Sequence, residues 1–224
     1  MQTTYYLKPE IISCIDRNVR RRNESVCPKV TPQYKLDIRE RIVQSAIECF
    51  SKNGFDKTRM DDIAQTADLS KGTVYLYFMS KEDLFYAICE NNLKVIKEQL
   101  SQIFATTKEN LLSDAERFYD DLQKLENRES EKVFFEIVAE SSRNTNLQRI
   151  LYEQRIKIFN VVKEYLDLQV QKGFFRKDVD TEAIAPGLVA LYDGLDVSKF
   201  LGIRENLNKK AWAGTVKAII SGIS

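Results

Sequence analysis

Residues 58–78 read TRMDDIAQTADLSKGTVYLYF, two short helical patterns separated by a break of a few residues. In the first pattern Ile63, Ala64 and Ala67 recur on one helix face. Thr58-Arg59-Met60-Asp61 in front of them has the form of a capping box, with the threonine hydroxyl on the third amide and the aspartate reaching back. The run ADLS then interrupts the pattern, and Ser70 is a suitable N-cap for a further helix over 71–77. That helix has an odd composition. It contains Gly72, a residue that costs about 1 kcal/mol against alanine inside a helix. It also sets Tyr75 and Tyr77 beside Phe78, more aromatic surface than one buried face of so short a helix needs.

Working outward, Ile42, Val43, Ala46, Ile47 and Phe50 form one apolar stripe of a helix beginning near Leu36. Asn53-Gly54 ends it, the glycine taking a left-handed conformation, and Phe55 returns the chain to the core. Three helices thus fall within about 45 residues, the last two joined by a tight turn, which is the order of a helix-turn-helix unit. In such units the N-terminal residues of the second helix meet base edges in the major groove. Gly72 would let backbone approach a phosphate or base, and Lys71 and Thr73 supply a cation and a hydroxyl at the same end. Tyr75 and Tyr77 can send phenolic hydroxyls to phosphates while their rings pack the helix in place, and Val74 and Phe78 form its buried side. Periodicity alone suits a plain three-helix core equally well. From Leu36 to Glu90 there are 7 basic and 10 acidic residues, a net charge of −3. A DNA-binding head of that charge must gather its cations on one face or lean on a basic tail.

Such a tail exists. Residues 1–35 show no sustained helical period, contain Pro9, Pro28 and Pro32, and carry a net charge of +4. Two readings stay open: a flexible solvated segment, or a basic arm that touches phosphates or a minor groove through RNVRRR.

Composition bounds the rest. A chain of 224 residues with 43% hydrophobic and 30% charged residues, 8 Gly and 4 Pro suits an all-α globular protein. No apolar run approaches the roughly 20 residues that cross a bilayer, and the N-terminus lacks the order of a signal peptide, so a cytoplasmic protein without a membrane partner is expected. There is no histidine, which excludes Ser-His-Asp triads, Cys-His pairs and HExxH zinc sites. No dinucleotide or phosphate-loop signature is present. An enzyme is therefore not expected, nor a cofactor, nor a metal site. Cys49 and Cys89 fall in apolar helical patterns and are expected as buried free thiols. Cys14 and Cys27 have no assigned role.

Residues 42–84 resemble the N-terminal domain of the TetR family of bacterial one-component transcriptional regulators. Phe50, Gly54, Phe55, Thr58, Ile63, Ala64, Ser70, Gly72, Thr73, Tyr75, Tyr77, Phe78, Ser80, Lys81 and Leu84 stand in the family's register. The resemblance implies a three-helix DNA-binding domain over 36–84, with its helix-turn-helix at about 59–78. A larger helical ligand-binding and dimerisation domain over 85–224 should follow. It implies DNA contacts from Thr58, Ser70, Lys71, Gly72, Thr73, Tyr75, Tyr77 and Lys81, with Thr58 on a phosphate and Lys81 gripping the backbone. Arg59 stands where a small hydroxyl residue is common and adds a further contact. Asp68 replaces a usual glycine, and aspartate can also adopt the left-handed backbone that the turn needs.

Further along, Leu93, Ile96, Leu100 and Ile103 continue a fourth helix, and apolar stripes recur at about 114–125, 131–142 and 146–172 before Gly173. A helix near Thr181 contains Pro186, which should kink or restart it. A last helix over about 206–220 has Trp212, Val216 and Ile219 on one side. By the resemblance, helices at about 181–201 and 206–221 pair with their copies in a homodimer, where Gly187, Ala190 and Gly194 permit close approach. Two heads about 34 Å apart would read a near-palindromic double-stranded DNA operator. The resemblance further implies a repressor released by a small apolar or aromatic inducer, with Phe118, Tyr119, Phe134, Phe135, Tyr152, Phe159 and Tyr192 as candidate lining. The rival readings are a helical ligand-binding or adaptor protein that no longer binds DNA, and a histidine-free helical enzyme.

Overall fold

The computed structural model of the chain describes residues 31–103, 107, 110–125 and 128–224. Cys14, Cys27 and nearly all of the basic segment lie outside the described residues. Every regular element among the described residues is an α-helix. In chain order they are α1 (Pro32–Asn53), α2 (Met60–Thr66), α3 (Lys71–Tyr77), α4 (Lys81–Ile103), α5 (Leu111–Leu125), α6 (Arg128–Glu140), α7 (Thr145–Gln171), α8 (Thr181–Phe200) and α9 (Glu205–Ile223).

Helix α1 begins at Pro32, earlier than the expected Leu36. Proline fits the first helical position, where its missing N–H would have no partner anyway, and the Tyr34 amide donates to the Thr31 hydroxyl at 3.1 Å. Pro32 therefore opens a helix and does not mark an irregular tail. At the other end Gly54 takes φ +82° and donates its amide to the Phe50 carbonyl at 2.8 Å.

The expected capping box does not form; only its back-bond is made, one residue later. Arg59, not Thr58, is the N-cap of α2, and its amide donates to Asp62, not Asp61, at 2.8 Å. Thr58 faces inward, only 1% exposed. Its hydroxyl lies 2.7 Å from the Gly54 carbonyl and 3.1 Å from that of Cys49. This buried hydroxyl ties the start of α2 to the Cys49 carbonyl near the end of α1 and to the Gly54 carbonyl just past it. Helix α3 spans the expected residues with Ser70 as its N-cap, and Asp68 takes the left-handed φ of +50°.

Ile42, Phe50, Ile63, Val74, Phe78 and Leu84 make the core of the first three helices and the start of α4. Val133 and Ile137 of α6 and Leu147 and Ile150 of α7 complete the same cluster. The head is thus closed by residues far along the chain, within a compact unit that runs from Ile38 to Ser224. Beyond the head, Leu93 and Leu100 of α4 pack with Ile158 and Val161 of α7.

Helix α8 starts on Asp180, whose carboxylate accepts the Ala183 amide at 3.0 Å. It runs through Pro186 as one helix; the expected restart does not occur. Gly202, at φ +85°, turns the chain into α9. There Trp212 and Val216 are buried, and the buried Asn208 side chain donates to the Leu195 carbonyl at 3.1 Å. Among the described residues, no helix is long and apolar enough to cross a membrane.

Candidate nucleic-acid interface

The turn between α2 and α3 is pinned from behind. The Arg41 guanidinium donates to the Asp68 carbonyl at 2.8 Å, and the Arg39 guanidinium lies 5.2 Å from the centre of the Phe78 ring. Val74 and Phe78 are buried in the core, which orients the helix about its axis. Tyr75 and Tyr77 are half-buried and pack against the same cluster, so their rings brace α3.

The leading end of α3 is exposed and polar. The Ser70 hydroxyl accepts the Thr73 amide at 3.1 Å and lies 2.8 Å from the Thr73 hydroxyl. The Lys71 ammonium meets the Asp61 carboxylate of α2 at 2.7 Å, with the two side chains 60% and 55% exposed. The hydrogen bond to Asp61 and its charge hold the Lys71 pKa above the usual lysine value. The same ammonium lies 5.9 Å from the Tyr75 ring centre. At Gly72 an added Cβ would find only the Ser70 hydroxyl, at 3.9 Å. Internal packing does not require the glycine, and the space it leaves opens outward.

Arg59, Ser70, Lys71, Gly72, Thr73, Tyr75 and Tyr77 thus gather around α3 and the start of α2. Two expected contacts are displaced. Thr58 is buried and its hydroxyl engaged with the Cys49 and Gly54 carbonyls, so its side chain does not reach a phosphate. Half-buried Lys81 donates to the Phe55 and Asp56 carbonyls at 2.7 and 2.9 Å and lies 4.8 Å from the Phe55 ring centre. Its ammonium staples the loop before α2 to α4. Arg41 and Asp61 were missed. Asp61 has the local form of a capping residue, and Arg41 acts on a residue outside its own helix.

The family described as "Bacterial regulatory proteins, tetR family" matches residues 42–88. A second, "BetI-type transcriptional repressor, C-terminal", matches residues 116–222. The chain belongs to the TetR family. It is a helix-turn-helix transcriptional regulator and not an enzyme. It is 28% identical over 194 residues to the HTH-type transcriptional regulator UidR of Escherichia coli K12, covering 83% of this chain and 92% of that one. It is 26% identical over 186 residues to the uncharacterized HTH-type regulator YerO of Bacillus subtilis, covering 70% of this chain and 64% of YerO, just under two thirds. The solved structure of Salmonella enterica GusR superposes with a TM-score of 0.72 at 26% identity, covering 87% of this chain and 97% of GusR.

In the body of this TetR-family chain, the aromatics expected to line one cavity fall into separate groups. Tyr119, 1% exposed, stacks on Trp212 with ring centres 5.7 Å apart and meets Tyr192 edge-on at 6.1 Å. Phe118 packs against this cluster, and Gln123 donates to the Tyr192 hydroxyl at 3.1 Å. Phe134 and Phe135 are 5.8 Å apart, and Phe135 turns to Phe200 at 5.1 Å. Tyr152 is 68% exposed and leaves the candidate set, because it lies on the outer side of α7. Phe159 is half-buried. Trp212, at the centre of the first group, shows in the sequence only as part of one face of the last helix. Cys49 is buried and free. Cys89 is partly buried, and burial, followed by the Glu90 charge, raises its thiol pKa to about 12.

Proposed function

We propose that the chain is a homodimeric repressor that binds a near-palindromic DNA operator through α3 and is released by a small apolar or aromatic inducer. The observation that carries the DNA reading is the outward space at Gly72, flanked by exposed Lys71 and half-buried Thr73 on a helix whose other side is locked by Val74 and Phe78. Arg59, Ser70, Tyr75 and Tyr77 complete the contact set, which acts in the cytoplasm where the DNA is.

The dimer reading is supported by a stripe along the last two helices. Gly187, Ala190, Gly194 and Val197 of α8 and Leu207, Ala211, Gly214 and Ala218 of α9 are all exposed. Added Cβ atoms at Gly187, Gly194 and Gly214 would meet nothing within 4 Å. Small residues on an exposed apolar stripe suit close approach of a second copy, and two heads about 34 Å apart then meet successive major grooves on one DNA face. The inducer reading draws support from the aromatic group of Phe118, Tyr119, Tyr192 and Trp212 between α5, α8 and α9. Gln154 of α7 adds to it, a buried amide whose oxygen has no hydrogen-bond partner. Release requires that the ligand bind one of two head spacings better, since equal affinity for both shifts nothing.

The test is selection of bound sequences from a random DNA pool. Recovery of an inverted repeat with half-sites one or two helical turns apart supports the reading, and recovery of unenriched sequence overturns it. A chain that kept the head but lost DNA binding, the adaptor alternative, would give the second result.

A further inference from the structure

We propose that Asp61 sets DNA specificity by holding the Lys71 ammonium at the head of α3, so that this cation acts as a directed donor to a base edge and not as a free phosphate binder. The inference rests on the reading of α3 as the recognition helix. Its starting point is that two adjacent aspartates open α2 with different employments. Asp62 caps the helix by accepting the Arg59 amide, whereas Asp61 reaches across the turn to Lys71 at 2.7 Å. A cation at the leading end of a DNA-reading helix is therefore paired with an acid before any DNA arrives, on a head whose charge is already −3.

Pairing changes what the lysine can do. A free lysine gains affinity for any duplex by displacing counterions from a phosphate, a term that is blind to sequence and falls with salt at a slope of about −0.9 per contact. A Lys71–Asp61 pair carries no net charge and has little of this gain. Its carboxylate also repels phosphates that come near. Yet an ammonium has three protons, and only one is needed for Asp61. The others remain for acceptors such as the N7 and O6 of guanine, with the direction fixed by the carboxylate on one side and the Tyr75 ring on the other. On a duplex without the right base, Lys71 must leave Asp61 to gain a phosphate. The pair thus weakens indiscriminate binding more than operator binding.

The experiment compares the full-length protein with Asp61→Asn, Lys71→Met and the double variant on a selected operator and on random duplex of equal length, across a salt series. Glu48→Gln, which removes the same charge from an exposed site on α1, is the control for net charge. Asp61→Asn is expected to tighten random-duplex binding roughly fivefold per head near 0.15 M salt and to steepen its salt slope by about one per head. Operator affinity should change less than twofold, so the specificity ratio falls. In the Lys71→Met background the same substitution should do clearly less, since it then relieves only the repulsion between the carboxylate and phosphates and frees no cation. An unchanged ratio, an equal effect in the Lys71→Met background, or an equal effect from Glu48→Gln overturns the proposal. If the unaltered protein does not prefer the operator over random duplex, the recognition-helix reading itself has failed and this inference falls with it.

Discussion

The Glu136 carboxylate accepts the Phe55 amide proton at 2.7 Å, and its oxygens lie 2.6 and 2.9 Å from where a Cβ on Gly54 would sit. A glycine and a distant carboxylate therefore share one small space. Helix α6, which carries Glu136, also sends Val133 and Ile137 into the core of the head, while its Phe135 meets Phe200 at the end of α8. One helix thus touches both the loop that leads into the DNA-reading pair and an end of the proposed dimer surface.

Substitutions at this contact should rank in a set order. Glu136→Gln keeps an acceptor and loses only the charge. Glu136→Ala removes the hydrogen bond, costing about 1 kcal/mol because the residue is exposed. Gly54→Ala should cost most. It forces a Cβ into the left-handed region, about 1–2 kcal/mol, and it displaces the carboxylate as well. Urea unfolding of the three variants checks the order. Equal losses for Gly54→Ala and Glu136→Ala would show that backbone conformation adds nothing.

Thr58 and Lys81 should behave as structural residues. Thr58→Val leaves carbonyls of α1 and its following loop short of a donor, an expected loss of about 1–2 kcal/mol. Lys81→Met removes two hydrogen bonds to carbonyls and the contact with the Phe55 ring. Both should lower the melting temperature, and operator affinity measured per folded molecule at low temperature should change less than threefold. A larger drop for either variant, with an unchanged melting temperature, would return that residue to the DNA surface.

These two residues mark where the sequence stopped being legible. The helix pair could be read because its signals are local: Ser70 before a short apolar period, Gly54 after a long one, Asp68 where a left-handed residue is needed. The capping register could not, since Asp61 and Asp62 both stand where a carboxylate can reach back to a preceding amide. Burial of the threonine against α1 decides between them. Helix spans in the body followed from apolar period, but the direction of single aromatics did not. Tyr152 and Tyr119 look alike in sequence, yet one faces water and the other lies under Trp212. The helix does not restart at Pro186 because a helix long enough and buried on Thr181, Ala185, Val189 and Leu195 can lose one backbone bond near its start and continue. Glu136 gave no local signal, its partner being far away in the chain.

Acid should expose the link between α4 and α7. Glu90 accepts Lys157 at 2.6 Å and Gln154 at 2.7 Å, and Lys157 also donates to the Tyr86 hydroxyl at 3.1 Å. Burial alone would raise the Glu90 pKa, but the hydrogen bonds from Lys157 and Gln154 and the lysine charge outweigh it, so the net shift is downward. Burial likewise disfavours the Lys157 cation, and the bonds to Glu90 and Tyr86 reverse that into a raised pKa. A lowered carboxylate pKa gives stability that is complete above the unfolded glutamate value, about 4.3, and is lost as pH falls through the folded value. The raised Lys157 pKa gives stability present below the unfolded lysine value, about 10.4, and lost as pH rises through the folded one. Stability should therefore be flat in this contribution between those limits. Glu90→Gln should lower it at neutral pH and flatten the acid limb below about pH 4. An acid limb identical to that of the unaltered protein would remove Glu90 from the account.

Gly194→Glu should separate folding from dimerisation. In the single chain a Cβ at this position meets nothing within 4 Å, so the new side chain extends into solvent. Glutamate is also a better helix former than glycine by roughly 0.5–1 kcal/mol, and the isolated subunit should fold at least as well as before. Against a second copy the outcome reverses. The stripe of Gly187, Ala190 and Gly194 would bring two backbones close, and a carboxylate there is buried without a partner cation, a change that typically costs several kcal/mol. Sedimentation at micromolar concentration should find the unaltered protein as a dimer and Gly194→Glu as a folded monomer with unchanged helical circular dichroism. Operator binding should fall with the dimer, because one head alone reaches only one half-site. A variant that remains dimeric and binds operator normally would place the subunit interface away from α8.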